Sequence, residues 1–100
     1  MATEPSHYLH EAARLVQGER SRDYGDAHTN FKNIACGWAV LLGTEVTPDQ
    51  VALCLSWLKL ARLASPTISD EAATDRVVDG CGYLALAGSL GPGSGHPNEV

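Results

Sequence analysis

Apolar residues recur at helical spacing through most of the chain and divide it into four stretches. In the first, Leu9, Ala12, Ala13 and Val16 stand at i, i+3, i+4 and i+7, which makes one apolar stripe on a helix from about Ser6 to Gln17. Pro5 and Ser6 give that helix a start and Gly18 a stop. The polar run from Glu19 to Gly25 reads as an ordered turn, closed by the Tyr24-Gly25 pair. A second helix is predicted from near Asp26 to Gly43, with Phe31, Ile34, Ala35, Trp38, Leu41 and Leu42 on its apolar side. Gly43 suits its C-terminal cap, because glycine tolerates the left-handed backbone that ends many helices.

Thr47-Pro48-Asp49-Gln50 is the sharpest local signal. Thr47 fits an N-cap, Pro48 the first helical position, and Gln50 the residue that reaches back to complete a capping box. The helix that follows, to about Ala64, is apolar nearly all round, so it is expected in the middle of the bundle. Ser65-Pro66-Thr67 breaks it, and Ser69 or Asp70 caps a fourth helix running to about Leu90. Gly80, Gly82 and Gly88 each weaken that helix by roughly 1 kcal/mol relative to alanine, which suggests close approach by another helix. Residues 1–90 are therefore expected to form one all-α domain, a compact four-helix bundle. Residues 91–100, rich in Gly, Pro and Ser, are expected to be a disordered tail.

Composition narrows the function. Hydrophobic residues make up 44% and charged residues 19% of the 100 positions, an ordinary globular balance. The formal net charge of -5 argues against a nonspecific nucleic-acid binder, though a small anionic ligand needs only a few local cations. Cys36, Cys54 and Cys81 lack CxxC spacing and are read as buried free thiols of a reducing cytoplasm. No secretory signal and no membrane-spanning apolar run is visible, so a cytoplasmic location off the membrane is expected. His7 and His10, three apart on the first helix, are read as part of a solvated face. Trp38 and Trp57 are read as core.

Three groups of residues carry candidate chemistry. Lys59 and Arg62 interrupt the apolar third helix on one face, and buried cations need a counter-charge. Asp75, Asp79 and Tyr83 share one stripe of the fourth helix. These acids either pair with Lys59 or Arg62 across the helix interface or join them around a pocket. Two carboxylates at this spacing suit Mg²⁺ together with phosphate oxygens, and the cations suit phosphate directly. In the polar turn, Arg20 or Arg22 suits phosphate and Tyr24 suits stacking on a base.

Several of these pieces recur together. They are Glu11 to Val16, Arg20 with Asp23-Tyr24-Gly25-Asp26, Asn30-Phe31 with Ile34-Ala35 and Trp38, Thr47-Pro48 with Val51-Ala52-Leu53, Leu58 to Leu63, and Asp75 with Val78-Asp79 and Gly82-Tyr83. In this order they resemble a family of small helical proteins common in tailed phages and prophages. That family is similar to phage nucleotide-modification-associated domains and, more distantly, to the MazG-type all-α nucleoside triphosphate pyrophosphohydrolases. The resemblance implies a MazG-like, oligomeric bundle in the host cytoplasm, a nucleotide ligand and Mg²⁺. MazG-type sites hold the metal with a Glu-x-x-Glu pair on one helix and a Glu-x-x-Asp pair on another. Asp75 and Asp79 stand where the second pair stands. At the place of the first pair this chain carries Lys59 and Arg62. Two cations in place of two carboxylates make a multi-Mg²⁺ site hard to build and favour binding over hydrolysis.

The reading that results is a phage-type nucleotide-binding protein. Its ligand, a nucleotide or related phosphate compound, would lie between the third and fourth helices among Lys59, Arg62, Arg20, Tyr24, Asp75, Asp79 and Tyr83. Two alternatives stand beside it. One is a Mg²⁺-dependent pyrophosphohydrolase with Asp75 and Asp79 as metal ligands. The other is a helical interaction module with no small ligand, in which the charges are interface salt bridges.

Overall fold

The computed structural model describes residues 4–17 and 27–91. Among these residues there are four α-helices and no strand: α1 (Pro5–Gln17), α2 (Ala27–Leu42), α3 (Pro48–Arg62) and α4 (Asp70–Leu90). The Glu19–Gly25 turn lies outside the described residues, as does the tail beyond Gly91.

Local chemistry explains where the helices begin and end. At the start of α3 the Thr47 backbone N–H donates to Gln50 Oε1 at 3.0 Å, as the capping-box pattern requires. The Thr47 hydroxyl turns instead to Asp49 Oδ1 at 2.6 Å, and both residues are buried. Ser69 caps α4 by accepting a hydrogen bond from the Ala72 N–H at 3.1 Å. Gly43 (φ 70) and Gly91 (φ 84) end α2 and α4 in conformations that favour glycine.

α4 packs against both α3 and α1, and α2 packs against α3. The core joins Phe31 and Ala35 of α2 to Val51 and Ala52 of α3 and Ala87 of α4, with Trp38 and Tyr83 partly buried around it. Small residues face one another where α3 meets α4. Ser56, only 2% exposed, donates its hydroxyl to the Gly80 carbonyl at 3.0 Å. A Cβ at Gly80 would meet Ser56 Oγ at 3.7 Å, and one at Gly82 would meet Val16 Cγ1 at 3.9 Å, both ordinary contacts. Gly80 thus faces α3 and Gly82 faces α1, while Gly88 has open space around it.

Three expectations are corrected. α3 is not enclosed: its inner side meets α2 and α4, but Leu53, Trp57 and Leu60 stand in solvent. Trp57 is 69% exposed and so is not a core residue, unlike Trp38. Three described helices cannot surround a fourth that has one side free, so apolar character all round does not mark a central position here. The cysteines are free thiols but not buried, since Cys36 and Cys54 are exposed and Cys81 is half-buried. The end of α2 also shows Val40 and Leu41 to solvent. No described helix is long and apolar enough to cross a membrane.

Candidate functional site

Three of the candidate charged residues, Lys59, Asp75 and Asp79, come together on one side of α4. Residues at i and i+4 lie one turn apart on one face, so Asp75 and Asp79 project from the same side of that helix. Asp79 faces the inner side of α3, where Lys59 arrives one turn after the buried Ser56. Lys59 Nζ and Asp79 Oδ2 are 3.2 Å apart, with side chains 18% and 25% exposed. Arg62, the other cation of α3, is exposed and makes no ion pair with a described residue. Tyr83, a turn beyond Asp79, is half-buried against the core. Arg20 and Tyr24 fall outside the described residues.

Beside this pair lies a cleft of about 330 Å³ between α1 and α4. Asp75, Arg76, Asp79 and Thr74 line it from α4, with His7 and Glu11 from α1. Of the candidate residues, Asp75 and Asp79 thus share an open space, and Lys59 adjoins it through Asp79. Arg62 and Tyr83 do not line it.

The electrostatics of the cleft turn on which charges are already matched. Glu11 holds Arg14 at 2.9 Å, and Asp79 holds Lys59. Asp75 is exposed and keeps its water. Arg76 is the remaining cation. Its Nε is buried without a hydrogen-bond partner, and it makes no ion pair among the described residues. A buried N–H without an acceptor costs about 1–3 kcal/mol, more on a charged group, so this one favours an acceptor brought by water or by a ligand.

Sequence reasoning missed Arg76, His7 and Glu11. Arg76 sits between Asp75 and Val77 and shows no pattern of its own. A weak signal existed, since Arg76 and Asp79 are three apart on one helix. The contribution of α1 had none, because the pairing of α1 with α4 is a long-range choice.

The fit for Mg²⁺ is incomplete on the protein's side. Asp75 and Asp79 offer two carboxylates, and one of them already holds an ammonium. Among the described residues no group of three His, Cys, Asp or Glu is arranged to hold a metal ion. Any Mg²⁺ here would depend on oxygens brought by the ligand, as Mg²⁺ at phosphate sites commonly does.

Fold and site together define a small all-helical protein whose helices bring a half-buried ion pair to the edge of a charged cleft. The chain belongs to the family described as Domain of unknown function (DUF6378), matched over residues 7–91. It is 40% identical over 79 residues to the Gene 55 protein of Mycobacterium phage L5, covering 78% of this chain and 48% of that protein. It is 36% identical over 67 residues to the Gene 55 protein of Mycobacterium phage D29, covering 67% of this chain and 44% of that protein. The chain thus spans about half the length of these phage relatives. No solved structure matches it.

Proposed function

We propose that this domain binds a phosphate-bearing small molecule, a nucleotide in the first instance, in the cleft between α1 and α4. One observation carries the reading: Arg76 borders the cleft with a buried Nε–H that has no acceptor and with no carboxylate of its own. A guanidinium suits phosphate because its N–H groups form a planar fork that matches two oxygens. Asp79 keeps Lys59 at the edge of the same space, where a ligand's phosphate could share the ammonium with the carboxylate. Asp75 and Asp79 then orient these cations or share one Mg²⁺ with the ligand's phosphate oxygens. The resemblance to MazG-type proteins supports a nucleotide as the class, since the acids of α4 that match that family's second pair line the cleft.

The test is a thermal-shift panel of nucleoside mono- and triphosphates, with and without Mg²⁺. A ligand at about a hundred times its Kd adds roughly 2.7 kcal/mol, which raises the Tm of a domain this size by roughly 10 °C or more. Arg76→Ala is expected to remove the shift. If no nucleotide moves the wild-type Tm, the reading is wrong and the charges serve packing or a protein interface. The pyrophosphohydrolase reading draws on Asp75 and Asp79 lining the cleft one turn apart. It requires Mg²⁺-dependent pyrophosphate release that Asp79→Asn abolishes.

A further inference from the structure

The outward side of α3 is apolar and open to solvent. Gln50, Leu53, Trp57 and Leu60 follow one another at spacings of three, four and three, the rhythm of a seam that packs against another helix. All four are exposed, Leu53 at 46%, Trp57 at 69% and Leu60 at 45%. Cys54 and Ala61 flank the seam and are exposed as well. The charged residues of α3 are Asp49, Lys59 and Arg62, and none stands on this side. A solvated helix face carries polar or charged residues, so a charge-free stripe with an indole at its centre is unlike one.

We infer that α3 pairs with α3 of a second copy, antiparallel about a two-fold axis at Trp57. The stripe is self-complementary in that arrangement. Counting outward from Trp57 in opposite directions sets Leu53 against the partner's Ala61 and Cys54 against the partner's Leu60. Each leucine thus meets a small side chain, as interdigitating helices require. The two indoles meet at the axis, where offset aromatic stacking is favourable. Each copy would bury on the order of 500 Å², and two copies roughly 1,000 Å², the size at which specific interfaces begin. The absence of charge removes any basis for recognising a charged partner, and one two-fold contact covers the whole stripe and closes the assembly. The inference stands independently of the ligand proposal, because the seam lies on the other side of α3 from Lys59.

Sedimentation velocity and light scattering on the full chain test it. At about 100 µM the wild type is expected at twice the chain mass of 10.6 kDa. Trp57→Glu is expected at the single-chain mass with its helix content unchanged, since Trp57 supports little of the monomer's packing. A second readout needs no variant. Acrylamide quenching of wild-type tryptophan fluorescence should fall as the protein is concentrated through the dimerisation range. A wild type that stays monomeric with constant quenching overturns the inference, and the seam then serves a different protein. A folded Trp57→Glu variant that remains dimeric overturns it too, because the contact must then lie elsewhere.

Discussion

The Lys59–Asp79 pair bears on both the fold and the site, and its energy can be bracketed from its position. At 3.2 Å the two groups are in direct contact, with side chains 18% and 25% exposed. Fully exposed pairs contribute about 0.2–1 kcal/mol, whereas breaking a fully buried pair costs about 3–5 kcal/mol. This pair lies between those limits and nearer the exposed one, because water reaches both groups. Lys59→Met keeps the apolar stem and leaves the Asp79 carboxylate without its cation, and Asp79→Asn keeps the volume and removes the charge. Each is expected to cost about 1–2 kcal/mol, or roughly 4–8 °C of Tm per kcal/mol in a domain of this size. The double variant should lose less than the two combined, with a coupling of about 1 kcal/mol. Urea unfolding followed by far-UV circular dichroism measures all four proteins, at one fixed concentration so that any association equilibrium stays constant. Additivity within about 0.3 kcal/mol would show that the two side chains merely lie close together. The ion pair would then have no part in joining α3 to α4 or in setting the charge of the cleft.

Two further substitutions probe the helices. Gly37 is exposed in the middle of α2, and a Cβ added there would meet nothing within 4 Å. Gly37→Ala should therefore stabilise the protein by about 0.5–1 kcal/mol, read as a higher urea midpoint. Ser56→Ala removes the hydroxyl that meets the Gly80 carbonyl at 3.0 Å. It should cost about 1 kcal/mol, and an unchanged midpoint would mean that this bond is replaced without loss.

Much of the fold was legible because helices are local. Pro5, Thr47-Pro48 and Ser69 place three helix starts, and Gly18 and Gly43 place two ends, all within a residue or two of the observed bounds. What the chain does not write locally is which faces meet. Trp57 and Trp38 look alike in sequence, yet among the described residues only Trp38 packs against the core. The site was half legible for the same reason. Lys59 needed a counter-charge, and Asp79 was one of two acids named for it. That α1 would close the other side with Glu11 and His7 depends on long-range packing, and Arg76 becomes conspicuous only when its buried Nε is seen to have no acceptor.

The Ser56–Gly80 contact also fixes an alignment. Where Ser56 meets Gly80 neither side chain is large enough to lock the two helices by shape alone. A single hydroxyl seated on a single carbonyl acts as a detent, since any slip strands a polar atom in a dry place. The same notch that holds α3 against α4 thereby keeps the lysine opposite its aspartate.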